Sequence, residues 1–401
     1  MRTKKSLMIL AVVAAVAVVV GLVAWLLPSR GGAAGGVVGP DSAAVARAEE
    51  ARAVAGADTI DVSLTAGPAT VEVGGQAVDT WAFNGTVPGP AIRASAGDVL
   101  RAEVVNDLPE ELTIHWHGIA LRNDMDGVPD LTQEPIAPGA EFTYEFTLPD
   151  AGTYFYHSHV GTQLDRGLYG SLVVDDPDAT PAAADVTLLL DDWIDGTGQT
   201  PDDVLEGLTS SGMDMGEESM PGMDMGEESM PGMDMGEESM PGMDMGEESM
   251  PGMDMGEESM PGMDMGEESM PGMDMGEQGS SAASSPLGTD ISDVSYPMYL
   301  INGRTSDAPE VQRVSAGDQV RLRLVNAASS VPFRVAFGGG PMTVIATDGF
   351  PVEPVSTDAL LMGMGERYDV LVTVPEDGAF PLVAAVEGGP EQAMAVLQTD
   401  D

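Results

Sequence analysis

The chain has 401 residues, a formal net charge of −50 and no cysteine. A charge of this sign makes nucleic acid and anionic lipid poor partners, because both would repel the chain. The absence of cysteine excludes, within these residues, disulfides, iron–sulfur clusters, thiolate zinc sites, thiol nucleophiles and a blue copper centre of the His₂Cys type.

The N-terminus has the pattern of an export signal. Arg2, Lys4 and Lys5 precede an uncharged apolar run over residues 7–27. A basic start before an apolar stretch is typical of export, and a run of this length can span a bilayer as a helix. We therefore predict a transmembrane signal-anchor helix over residues 1–30, with the rest of the chain extracytoplasmic. A cleaved signal that releases a secreted protein is the alternative.

The chain beyond the N-terminus has a β pattern. Residues 31–57 are rich in Gly and Ala and are predicted to be a linker. From Thr59 onward, apolar residues such as Ile60, Val62 and Leu64 alternate with polar ones, and Gly, Pro and Asp interrupt the alternation. A period of two with frequent turn residues predicts an antiparallel sandwich or barrel.

The sequence contains an internal repeat. Ser-Ala-Gly-Asp begins at Ser95 and again at Ser315, and each copy leads to a Val-Asn pair that ends at Asn106 or Asn326. Both copies also have an Asn-Gly pair upstream. Two copies of one β-domain are the simplest explanation of this similarity.

A Met-rich segment interrupts the second copy. Residues 213–277 repeat Met-Asp-Met-Gly-Glu-Glu-Ser-Met-Pro-Gly with a period of ten. Pro and Gly in each unit oppose helix and strand, and the acidic composition predicts disorder. We therefore predict a first domain over residues 58–178 and a second over 185–401, the latter with a disordered insertion at about 196–290.

All four histidines lie in two H-x-H pairs, His115 with His117 and His157 with His159. Side chains at i and i+2 of a strand point to the same face, so two neighbouring strands would present four imidazoles together. Imidazole suits copper, zinc, iron and nickel; paired histidines without a metal are the alternative. Val335 matches His115 in the second copy, so only the first domain is predicted to carry the site.

Together these motifs resemble the first two domains of multicopper oxidases, which are laccase-like enzymes built from cupredoxin β-barrels. Besides the histidine pairs, the resemblance rests on Phe-Asn-Gly-Thr-Val-Pro-Gly-Pro at 83–90, Asp-Gly-Val-Pro at 126–129, Thr-Gln at 132–133, Gly-Leu-Tyr-Gly at 167–170 and Gly-Glu-Arg-Tyr-Asp at 365–369. It covers roughly residues 58–401 outside the Met-rich segment. It implies an all-β protein of two consecutive cupredoxin-like Greek-key barrels or sandwiches.

The resemblance also implies copper as the cofactor. In the family, eight histidines hold a trinuclear copper cluster that reduces O₂ to water. By resemblance, His115 binds the type 2 copper, and His117, His157 and His159 bind the type 3 pair. Asp126 matches an acid that relays protons to the reduced oxygen in relatives, a task that a positioned carboxylate can perform. An acidic Asp-Gly turn is the alternative for Asp126.

The other four histidines and the cysteine of the type 1 copper come from a third domain in the family. These 401 residues contain neither, so a homo-oligomer of the chain cannot complete the site. We expect either a truncated or split gene, or a separate polypeptide that carries the third cupredoxin domain.

Three functions are therefore open. The first is a copper-binding oxidoreductase that couples one-electron oxidation of Cu(I) or phenols to O₂ reduction. The second is a non-catalytic protein that sequesters copper through the histidines and the Met-rich segment, because thioethers suit Cu(I); expansion of that segment by repeat slippage, without binding, is the alternative. The third is a structural cupredoxin-fold protein, against which the intact histidines argue.

Overall fold

The computed structural model describes residues 42–179, 182–214, 285–287, 291–292 and 294–399. The first domain is built from eight strands, named here in chain order: β1 (Thr59–Val73), β2 (Gln76–Phe83), β3 (Ile92–Ser95), β4 (Val99–Asn106), β5 (Ile114–His117), β6 (Glu141–Thr147), β7 (Gly152–Ser158) and β8 (Tyr169–Asp175). They form two four-stranded sheets, in the orders β2-β1-β4-β6 and β3-β8-β7-β5.

The second domain contains the remaining strands of the described residues: β9 (Ala184–Trp193), β10 (Met298–Ile301), β11 (Glu310–Val314), β12 (Gln319–Asn326), β13 (Phe333–Phe337), β14 (Met342–Thr347), β15 (Phe350–Thr357), β16 (Leu360–Met362), β17 (Arg367–Thr373), β18 (Ala379–Val386) and β19 (Gln392–Thr399). Their sheets have the orders β10-β9-β12-β17-β14-β15 and β11-β19-β18-β13-β16. The prediction of a mainly β protein with two consecutive sandwiches is confirmed.

Alternation of apolar and polar residues builds each sandwich. In β4, Leu100, Ala102 and Val104 are fully buried, whereas Arg101 and Glu103 between them are exposed. The buried side chains of both sheets of the first domain form one apolar core. A second core of the same kind fills the other sandwich. One face of every sheet is thus turned inward, as a period of two requires.

The internal repeat is a repeat of structure. β1 pairs in parallel with β4, and β9 pairs in parallel with β12. Each pair leads to a fully buried asparagine, Asn106 or Asn326. The Asn106 side-chain Nδ2 donates to the Glu110 carbonyl at 2.8 Å, and the Asn326 Nδ2 donates to the Val331 carbonyl at 3.0 Å. In both copies the matching asparagine side chain therefore holds the loop that follows it.

A helix, α1 (Ala43–Arg52), lies within the predicted linker 31–57. It is fastened to the first domain at two points. The Arg52 guanidinium donates to the Ala120 carbonyl at 2.7 Å, and the Glu49 carboxylate accepts from the Thr147 backbone N–H at 2.5 Å. The second half of this segment is therefore part of the folded domain, which its Gly/Ala-rich composition did not indicate.

A second helix, α2 (Pro201–Asp214), lies within the stretch predicted to be disordered at about 196–290. The prediction is wrong over these residues. Thr200 and Asp203 form reciprocal hydrogen bonds at the helix start, with the Asp203 carboxylate accepting from the Thr200 N–H at 2.8 Å and the Thr200 hydroxyl accepting from the Asp203 N–H at 3.2 Å. Thr followed by Pro and then Asp is a known helix-start signal.

Two predicted features lie outside the described residues. These are the signal-anchor helix over residues 1–30 and the Met-rich repeat beyond residue 214. Within the part of the chain that the structure describes, no helix has the length and apolar character needed to cross a membrane. Both features therefore stay predictions.

Buried charges join the two sandwiches. The Arg323 side chain is only 2% exposed, and it donates to Asp185 at 2.7 Å and to Asp369 at 3.2 Å, all three in the second domain. It also donates to the Thr153 hydroxyl on β7 of the first domain at 3.0 Å, and that hydroxyl donates to Asp369 at 2.5 Å. Thr153 is thus held by two charged groups of the other domain.

An apolar cluster lies at the same interface. Phe155 and Tyr169 from the first domain pack with Leu189, Val325 and Ala327 from the second. All five side chains are at most 3% exposed. Strand β7, which carries His157, and its neighbour β8 are therefore packed against the second domain.

Replacing Arg323 by alanine tests this interface. Removal of one partner leaves the Asp369 carboxylate buried with an incomplete set of cationic partners, so we expect the free energy of unfolding to fall by about 3–5 kcal/mol. Arg101→Ala is the control, because Arg101 forms an exposed ion pair with Glu145 and should have little effect. Urea unfolding of both variants measures the difference, and equal losses would contradict the assigned role of Arg323.

Candidate metal centre

The pairing of β5 with β7 positions the histidines. The strands are antiparallel, with His115 opposite His157 and Trp116 opposite Tyr156. Trp116 and Tyr156 are fully buried in the core of the first domain. Because side chains alternate along a strand, His115, His117 and His157 project from the other face of this sheet.

All four predicted histidines come together. From the ring centre of His115 the distances are 5.5 Å to His117, 5.3 Å to His157 and 5.5 Å to His159. One nitrogen from each of His115, His117 and His157 lies within 4.8 Å of the other two, the only such group of three His, Asp or Glu residues in the described ranges. His159 is exposed and stacks on His157 at 6.0 Å, at the rim of this group.

Backbone carbonyls orient two of the rings. Nδ1 of His115 is 2.8 Å from the Asp126 carbonyl, and Nδ1 of His157 is 2.8 Å from the Ser158 carbonyl. A carbonyl only accepts, so both Nδ1 atoms carry a proton, and Nε2 is the free nitrogen of each neutral ring. Such a second partner is what holds metal-binding imidazoles in one tautomer and orientation.

His117 presents its other nitrogen to the group. Its Nδ1 lies 3.4 Å from Nε2 of His157, and its ring stacks on Phe155 with centres 4.4 Å apart and an angle of 24°. Two such nitrogens can share one proton or bind one cation between them. The donor set thus fits a metal that prefers imidazole, which includes copper.

Burial controls the charge of the rings. Burial, and then the nearby charges of His157 and Arg367, lower the pKa of His117 to about 3. Burial also lowers the pKa of His157 to about 4. For His115 burial acts in the same direction, but the contacts with Asp126 outweigh it and raise the pKa. His117 and His157 are therefore neutral at neutral pH, the form that binds metals.

Asp126 lies beside His115. Its carboxylate is 3.4 Å from Nδ1 of His115, and this hydrogen bond lowers the pKa of Asp126. Gly127 has a φ of +81°, and a Cβ there would overlap the Ile114 carbonyl of β5. The structure therefore explains the Asp-Gly pair, because only glycine lets this turn lie against β5, the strand that carries His115 and His117.

The second domain contributes contacts to the centre but no histidine. Val335, at the position that matches His115, is fully buried and pairs with Ala384. Gly365 and Arg367, which sequence motifs identified without a role, lie close to His117. Phe155 was missed, although its spacing of two from His157 already placed both on one face of β7.

Comparison with known proteins identifies the family. Family models described as multicopper oxidase match residues 65–179 and 277–400. A multicopper oxidase of Mycobacterium tuberculosis is 39% identical over 93% of this chain and 62% of its own length. Copper resistance protein A of Escherichia coli is 30% identical over 80% of this chain and 47% of its own length. The chain therefore belongs to the multicopper oxidase family, whose members are copper-using oxidoreductases.

Solved structures agree with this assignment. A multi-copper oxidase from Pseudomonas thermotolerans superimposes with a TM-score of 0.58 at 28% identity, over 86% of this chain and 64% of the other. A laccase from Botrytis aclada gives 0.60 at 25% identity, over 86% of this chain and 53% of the other. The chain thus spans between about half and two thirds of the relatives named here, and the predicted family and cupredoxin-like fold are confirmed.

The geometry ranks the four histidines. We expect His157→Ala to weaken Cu(I) binding by the isolated chain more than tenfold, since loss of an outer-shell partner alone costs about that much. His159→Ala should have a smaller effect, because His159 lies outside the close group of three nitrogens. Competition with a Cu(I) chelator measures both affinities. A larger loss for His159→Ala would contradict this ranking.

Proposed function

We propose that the four histidines form half of the copper centre of an oxidase that couples one-electron oxidation to the reduction of O₂. One observation carries this proposal: three imidazole nitrogens converge within 4.8 Å in a member of the multicopper oxidase family. The histidines that the family motif assigns to copper are the ones that the fold brings together.

The residues of this chain would prepare the centre. His115, His117 and His157 would hold copper, with His159 at the rim, and copper would supply the one-electron chemistry. The carbonyls of Asp126 and Ser158 keep Nδ1 of their partners protonated. Each proton held there directs the opposite nitrogen toward the metal.

The centre needs further ligands. These 401 residues contain four histidines and no cysteine, so a copper site for electron entry of the His₂Cys type must come from another domain. That domain would belong either to a continuation of the chain or to a separate polypeptide. The exposed rim at His159 is the side from which the ligands of that domain would approach.

Two observations support Cu(I) as the electron donor. One relative is named a copper resistance protein. The chain also has 28 methionines, most of them in the acidic repeat, and thioethers are soft ligands suited to Cu(I). Phenols are the other substrate class, since a relative is named a laccase.

Reconstitution tests the proposed function. The purified chain with added copper should show no blue-copper absorption and no phenol or Cu(I) oxidase activity, because electrons have no cysteine-ligated copper through which to enter. A third cupredoxin domain with an H-C-H motif should restore colour and turnover together. A blue, active preparation of this chain alone would show that a different ligand set is at work.

A second candidate is a copper-sequestering protein without turnover. The name of the copper resistance relative and the Met-rich repeat favour it as well. The same reconstitution separates the two functions. Tight Cu(I) binding with no turnover in the presence of any third domain would leave sequestration as the function.

We also propose that Asp126 relays protons for the reduction of O₂. Its carboxylate lies beside the metal-binding His115 and is one third exposed, so it can exchange protons with solvent. In the reconstituted oxidase, Asp126→Asn should slow turnover by about 10²–10⁴-fold, the usual contribution of a positioned acid or base, with unchanged copper content. Turnover at the parental rate would show that Asp126 only forms the turn.

A further inference from the structure

The His117 ring is enclosed from two directions. Phe155 of the first domain covers one face, with ring centres 4.4 Å apart. Gly365 of the second domain lies against an edge: a Cβ built on Gly365 would be 2.9 Å from Cε1 and 3.2 Å from Nε2 of His117. The same Cβ would be 3.9 Å from Nδ1. The second domain thus faces the edge formed by Cε1 and Nε2, whereas Nδ1 faces His157.

Gly365 is therefore a contact surface for the ring. Real Cβ atoms essentially never approach another atom more closely than 3.0 Å, so an alanine would force the imidazole to move or turn. The glycine backbone already has a φ of +77° and is held by a hydrogen bond from its N–H to the Asn326 carbonyl at 2.8 Å. The backbone is fixed, and the ring is the part that would give way.

Arg367 fastens this surface to the histidine strands. Only 5% of the Arg367 surface is exposed. Its guanidinium donates to the Gly365 carbonyl at 3.0 Å and to the Thr153 carbonyl on β7 at 3.2 Å. Its Nη2 also occupies the space that a Cβ on Gly118, the residue after His117, would need. One side chain thus links the loop of the second domain to both strands of the metal centre.

We propose that residues 363–367, here called the positioning loop, hold the His117 imidazole from the second domain so that Nδ1 faces the metal. Gly365 is the surface against the ring edge, and Arg367 is a positioning residue that holds that surface in place. The copper-binding part of this inference rests on the proposed function. It gives the second domain, which supplies no histidine, a direct part in building the centre.

The internal repeat offers a matched control. Gly139 is the counterpart of Gly365 in the first domain. Its φ is +76°, its N–H donates to the Asn106 carbonyl at 2.7 Å, and a Cβ built on it meets nothing within 4 Å. Gly139→Ala therefore introduces the same backbone strain as Gly365→Ala without touching a histidine.

Two readouts test the proposal on the full chain. The first is the ring-proton shift of His117 in the metal-free protein with labelled histidine, because stacking on Phe155 shifts these signals. The second is Cu(I) affinity by chelator competition, with ¹⁵N shifts of the Cu(I) form to show which nitrogen of His117 binds. We expect Gly139→Ala to match the parent in both. Gly365→Ala should move the His117 ring signals, lose the Nδ1-bound signature and bind Cu(I) about 10- to 100-fold more weakly.

Arg367→Lys is the second variant. It keeps the charge but loses the planar fork that serves two carbonyls, so it should shift the same His117 signals and weaken Cu(I) binding. If Gly365→Ala shows the ring signals and affinity of Gly139→Ala, the positioning role is wrong. If the parent binds no Cu(I), the proposed copper function fails, while the metal-free ring signals still decide whether the loop positions His117.

Discussion

The antiparallel register between β5 and β7 is the constraint on which the metal centre depends. It sets His115 directly opposite His157 and aligns Trp116 with Tyr156. A slip of one residue would exchange the faces, with imidazoles in the apolar core and two large aromatic rings outside it. The complete burial of Trp116 and Tyr156 therefore does more than stabilise the core, because it fixes where the imidazoles converge.

The two duplicated sandwiches have different roles in the metal centre. The first sandwich carries all four histidines, and the second carries none. In the second, the fully buried Val335 stands at the position that matches His115. The second sandwich nevertheless contacts the metal centre or its strands at two places. Arg323 and Asp369 hold Thr153 on β7, while the positioning loop contacts His117. A domain without histidines thus contributes rigidity, which a metal centre requires from its supporting shell.

Local rules explain what the sequence could predict. The period of two indicated strands, the spacing of each H-x-H pair placed two imidazoles on one face, and the matching asparagines revealed the duplication. Both helices escaped prediction for different reasons. The start of α2 had a recognisable Thr-Pro-Asp signal that the nearby Met-rich repeat obscured. The helix α1 depends on contacts with distant residues, such as Arg52 with Ala120.

Contacts between the domains mark the limit of sequence reasoning. Nothing local shows that Gly365 lies against His117 or that Arg367 spans two strands of the other sandwich. Such neighbours are set by how two folded domains pack, which no periodicity encodes. The chemistry of the ligands was therefore readable from the sequence, whereas the device that orients them required the structure.

Anomalous diffraction at the copper absorption edge, from crystals of the full chain grown with copper, tests the central claim most directly. We expect the strongest copper peak among the imidazoles of His115, His117 and His157, with Nδ1 of His117 and Nε2 of the other two facing it. Copper bound only at surface carboxylates or methionines, with the three imidazoles free of it, would contradict the assignment of this cluster as a metal centre.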